Sequence, residues 1–109
     1  MKSIIDVIDQ VYESIYIHRS IVVCETEDQV QELIELLEDR DYPCGNCDDA
    51  NDNDNIRMIV QTYDQLISNE DSLLLEETSV MFTTDMTILA DLCDIVDYWG
   101  INLLVTLAK

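Results

Sequence analysis

Cys44-Gly45-Asn46-Cys47 places two thiols at C-x-x-C spacing, which suits either dithiol–disulfide exchange or half of a zinc site. The redox version usually opens a helix after a strand, whereas here Asp48-Asp49-Ala50-Asn51-Asp52 follows and predicts a polar loop. Negative neighbours also raise thiol pKa values, which works against a reactive thiolate. A zinc site needs about four ligands. There is no second C-x-x-C, and His18 is the single histidine. Cys24 and Cys93 fall inside apolar segments and are expected to be reduced core residues.

A second candidate is the run Asp48 to Asn55, Asp-Asp-Ala-Asn-Asp-Asn-Asp-Asn. Asp49, Asn51 and Asn53 imitate the first oxygen ligands of a calcium loop. That loop also needs a glycine and a closing glutamate, and Asp54 and Val60 occupy those positions. The calcium pattern therefore breaks at two required places. Among single acids, Asp85 is the best placed, because α/β sites gather at the C-terminal ends of strands. An Asp in front of a helix also serves as its cap. No phosphate-binding P-loop or dinucleotide fingerprint is present, and two glycines are too few for a backbone cradle. No cofactor and no catalytic residue are expected.

Charge narrows the partners. Twenty-four acids face five Lys/Arg, a formal −19. Such a field repels a phosphate backbone, whose recognition needs Lys and Arg, so direct nucleic-acid binding is not expected. A basic protein partner fits the field, and the same acids keep a domain soluble. No apolar run reaches the roughly 18 residues of a membrane span. Met1-Lys2-Ser3-Ile4-Ile5-Asp6 does not read as a secretory leader, since acid appears at once and no small-residue cleavage site follows. A reducing compartment, cytoplasmic or nuclear, is the expected location.

These residues need a scaffold, and the apolar pattern predicts one domain over 1–109. Ile4, Ile8, Val11 and Ile15 predict an amphipathic helix over 3–16. Ser20 to Cys24 is a short apolar run suited to a buried parallel strand. Thr26 with Gln29 forms a capping box for a helix that runs to about Arg40. Tyr42 to Cys47 predicts a second strand, weakened by Pro43 and Gly45. Ile56, Ile59, Tyr63, Leu66 and Ile67 predict a helix over 55–68. Ser79 to Thr83 is a strand, and Asp85 or Thr87 caps a helix that Gly100 stops. Ile101 to Leu107 is a last buried strand. Alternation of this kind predicts an α/β fold, a three-layer parallel sheet with helices on both faces.

The order of pieces resembles the C-terminal RecA-like lobe of DEAD-box RNA helicases. Lys2 and Val11-Tyr12-Glu13 stand where that lobe has its first-helix "K…L…Y" pattern. Ile21-Val22-Val23-Cys24-Glu25-Thr26 stands where it has "IVFCNT", and Val80-Met81-Phe82-Thr83-Thr84-Asp85 matches its strand ending in "TTD". Arg57 and Tyr63 match loosely a helix with an early arginine and a later aromatic. The resemblance covers nearly the whole chain and implies a RecA-like helicase-lobe fold. Its functional residues are missing. Thr87-Ile88-Leu89-Ala90-Asp91 replaces the family's "ARGxD", no arginine-rich "HRxGRxxR" segment appears, and Asp48, Asp49, Asp52 and Asp54 stand where the family has basic RNA-facing loops.

Retained scaffold, lost arginines and high negative charge imply a non-enzymatic interaction module. It would bind a helicase-binding factor or sequester a basic protein, as a regulator or viral-type mimic. Asp48, Asp49, Asp52, Asp54 and Asp85 are its candidate partner-binding residues. The other readings are an acidic mimic of nucleic acid, and a small redox protein using Cys44 and Cys47. An exposed Leu73-Leu74-Leu75 would add a homodimer patch.

Overall fold

The computed structural model of the chain describes residues 2–14, 19–46, 48–49, 55–68 and 78–107. Five strands form one sheet: β1 (Arg19–Cys24), β2 (Cys44–Gly45), β3 (Met58–Thr62), β4 (Thr78–Thr83) and β5 (Leu103–Thr106). Their order across the sheet is β2-β3-β1-β4-β5, and every pairing is parallel. The helices are α1 (Lys2–Ser14), α2 (Glu27–Asp39), α3 (Tyr63–Ser68) and α4 (Leu89–Trp99), with a 3-10 turn at Met86–Ile88.

Alternation along the strands divides the core in two. On one face Val22, Cys24, Met58, Val60, Val80 and Phe82 pack against Ile5 and Ile8 of α1 and Val30, Leu33 and Leu37 of α2. On the other, Ile21, Val23, Ile59 and Met81 pack against Leu66 of α3 and Leu92 and Ile95 of α4. The expected three-layer α/β architecture is therefore present, with a continuously buried β1 at its centre. Among the described residues, no helix is long and apolar enough to cross a membrane.

Local chemistry sets the ends of the elements. Thr26 Oγ1 accepts from Gln29 N at 3.2 Å, and Gln29 Oε1 accepts from Glu25 N at 3.0 Å, so the expected box starts α2. At its other end Tyr42 N donates to Leu37 O and Asp41 N to Glu38 O, the paired bonds of a Schellman stop. Asp41 takes the left-handed position at φ 63° that glycine usually fills. Gly100 fills the matching position after α4 at φ 68°, as the sequence predicts. Arg40, one of the five cations, bonds Asp9 at 2.5 Å, and the Tyr42 hydroxyl donates to the same carboxylate, tying α1 to the end of α2.

Four expectations need correction. Residues 55–68 are not one helix: Met58–Thr62 is a strand between β1 and β2, and only Tyr63–Ser68 is helical. Met58, Ile59 and Val60 are buried by both helical layers, and that burial outweighs the helical spacing around them. Arg57 consequently precedes a strand, so its match to an early helix arginine fails. The final strand is no buried strand but a half-exposed edge, with only the flanking Ile101 and Leu107 buried. Cys93 is exposed, because Leu92 and Ile95 set the inward face of α4 and turn the residue between them outward. Cys24 is buried, as expected.

Candidate functional site

Because all strands run the same way, their C-terminal ends share one edge of the sheet, where α/β sites collect. β1 ends there in Glu25 and Thr26, β3 in Thr62, and β4 in Thr83, Thr84 and Asp85. A second capping box, which the sequence reading missed, starts α3. Gln65 N donates to Thr62 Oγ1 at 3.3 Å, and Thr62 N donates to Gln65 Oε1 at 2.9 Å. Its T-x-x-Q signal matches that of Thr26 and Gln29, but the helix expected across 55–68 concealed it.

The two boxes are stitched together. Gln65 Nε2 donates to Glu27 Oε1 at 2.7 Å, and Thr84 Oγ1 reaches Gln29 Oε1 at 3.5 Å. Thr83 Oγ1 accepts from Asp85 N at 3.0 Å and lies 3.2 Å from the Val23 carbonyl, to which it can donate. Asp85 proves to be a cap. Its Oδ1 accepts from Thr87 N at 3.0 Å and from Thr87 Oγ1 at 2.6 Å.

Asp48 and Asp49 correct the polar-loop expectation, for they sit on an exposed helical turn just beyond β2. Asn46 N donates to Asp49 Oδ2 at 3.3 Å, and Asp49 N donates to Asn46 Oδ1 at 2.9 Å. Three strand spacings separate the ends of β2 and β4, so Asp49 and Asp85 occupy the same edge roughly 14 Å apart. Asp52 and Asp54, the calcium-like positions 51 and 53, His18, and Leu73 to Leu75 lie outside the described residues.

This edge holds hydroxyls, amides and carboxylates, and its strand-to-helix turns contain no Lys, Arg or His. Gln29 N of α2 and Gln65 N of α3 already have side-chain acceptors, and Glu25, Glu27, Asp28, Asp64 and Asp85 surround these helix starts. An anion therefore meets an unfavourable field at these helix starts. A cationic surface meets the opposite. Among the described residues, no three of His, Cys, Asp and Glu come together in a way that could hold a metal ion.

The cysteine motif is placed differently. Cys44 lies in β2, half-buried, with its thiol directed at the Ile34 carbonyl at 3.6 Å. Burial, reinforced by Glu38, pushes its pKa up to about 11. Cys47 lies outside the described residues. At pH 8 the Cys44 thiolate is expected to be about 100-fold scarcer than that of an ordinary thiol. Iodoacetamide labelling mapped by mass spectrometry should therefore modify exposed Cys93 well before Cys44. Equal rates would contradict the burial of the thiol.

Gly45 is required by close approach. A Cβ there would stand 2.9 Å from Asp49 Cβ and 3.0 Å from Asp49 Oδ2. Gly45→Ala is expected to destabilise the domain by about 1–3 kcal/mol in urea unfolding. Asp49→Gly in the same chain should relieve much of that clash, because it removes the Cβ and the carboxylate that Gly45→Ala would meet. Strictly additive effects would show that the two residues do not collide.

Comparison with known proteins gives no match: no family model fits the chain, and no characterised sequence matches it.

Proposed function

We propose that this domain is a non-enzymatic protein-interaction module, a degenerate helicase-lobe shape that binds or sequesters a basic protein partner. The observation that carries this reading is the edge of the sheet where an α/β enzyme would place its chemistry. There the hydroxyls and amides are spent on capping the chain's own helices and on tying its strand ends together, and the outward groups are carboxylates. The five-stranded parallel sheet is compatible with the RecA-like likeness, and the arginines that serve nucleotide and RNA in that family have no counterparts. The raised pKa of Cys44 argues against the redox reading, since exchange needs a thiolate.

Pull-down with the tagged chain at low and high salt, read by mass spectrometry, tests the proposal. Recovery of helicase cofactors or translation factors that survives salt supports the lobe-shaped reading. Recovery of basic proteins that is lost in salt supports the acidic-mimic form of it, because exposed charges are screened. Recovery of neither class overturns the proposal.

A further inference from the structure

We infer that the open edge of β5, together with the groove beside α4, is a strand-addition site for an extended basic segment of another protein. The inference rests on the interaction-module reading and assigns it a docking surface.

β5 ends the sheet, and no described residue pairs with its outer side. Leu107 N donates to Thr83 O at 2.8 Å. Alternation of main-chain groups along the strand then turns Leu103 and Val105 toward β4, and Leu104 and Thr106 toward the open edge. Such an edge is ordinarily guarded by Lys, Pro or extreme shortness. The opposite edge, β2, is only two residues long. Asn102 to Leu107 has no charge and no proline, and Leu103 is 39% exposed. A groove of about 420 Å³ runs beside it, with Val96, Ile101 and Leu104 supplying apolar walls and Asp97 a carboxylate. A strand laid along β5 would present every second side chain to this groove.

Charge selects the occupant. α4 carries Asp91, Asp94 and Asp97, all exposed, and residues 86–107 contain no Lys or Arg. A second copy would bring the same three carboxylates against them, and its own segment 86–107 offers no cation to offset the repulsion. An extended segment alternating apolar residues with Lys or Arg satisfies the backbone edge, the apolar walls and Asp97 together.

The test uses the full chain and a fluorescein-labelled ten-residue peptide of alternating Val and Lys. Its controls are an alternating Val/Glu peptide and a Val/Lys peptide N-methylated at every second residue. Anisotropy should show binding of the Val/Lys peptide only, with N-methylation costing about tenfold or more in affinity. Hydrogen exchange should show new protection at the Leu104 and Thr106 amides. Thr106→Pro and Asp97→Lys should each weaken binding about tenfold while the urea midpoint stays near wild type. Undiminished binding of the N-methylated peptide, or protection confined to other elements, overturns the site. If Thr106→Pro leaves an otherwise positive pull-down of basic proteins unchanged, the site falls and the module reading stands. An empty pull-down removes both. Protection of Leu104 and Thr106 without peptide, with a dimer mass in light scattering, overturns the basic-segment occupant in favour of a second copy.

Discussion

Phe82→Ala should cost about 3–5 kcal/mol of folding stability, the largest single-residue loss we expect in this chain. Among the described residues Phe82 is the largest fully buried side chain, at 0% exposure, and it lies on β4 beside the central strand. Its ring packs into the core shared by α1 and α2, so neither helix alone can close the space left behind. Domains of this size hold only about 5–15 kcal/mol in total, and the variant would sit near the edge of folding. Urea unfolding should show a lower midpoint with an unchanged slope. Val105→Ala on the half-exposed edge strand supplies the comparison and should lose far less. A loss below about 1 kcal/mol for Phe82→Ala would mean that β4 does not occupy the core as described.

The second large effect has the opposite sign. Gln61 is 2% exposed, and its Oε1 finds no hydrogen-bond partner among the described residues. Alternation from Ile59 places it on the α3/α4 face, paired in register with Val23. An amide oxygen buried without a partner costs about 1–3 kcal/mol relative to water. Gln61→Met keeps length and volume while removing that atom, so it should stabilise the domain by about 1–2 kcal/mol. Fluorescence of Trp99, the single tryptophan, offers a direct readout of the unfolding curve. A loss of stability in the methionine variant would show that the carbonyl is engaged after all.

What the sequence made legible was local. Thr26 and Gln29 announced the start of α2, Gly100 its counterpart's end at α4, and Ser20–Cys24 a strand buried on both faces. Each of these signals lies within a few residues of what it controls. β3 was hidden for the same reason that β1 was visible. Both are continuous apolar runs, but Met58-Ile59-Val60 happens to be flanked by Ile56, Tyr63 and Leu66 at helical spacing. The exposed β5 was misread because apolar composition does not tell an edge from a centre, a property of sheet order alone. In the candidate site, Asp85 was set at the end of β4, where it lies, whereas Asp48 and Asp49 were read as a polar loop and stand on a helical turn. The links that occupy that edge join Gln65 to Glu27 across 38 positions and Thr84 to Gln29 across 55, distances over which no local pattern speaks.

The all-parallel sheet carries a kinetic burden. Parallel neighbours cannot be joined by a tight hairpin, so no strand pair here can form early as a self-contained unit. Arg19 of β1 meets the Ile56 carbonyl 37 residues away, and Val23 meets Thr83 across 60. Long loops must close before the central strand gains either neighbour, and folding with such non-local pairing is slow, in the millisecond-to-second range. During that interval the apolar β1 stands without partners. The chain's −19 charge then acts on the unfolded ensemble, where mutual repulsion keeps half-made molecules apart until the sheet assembles.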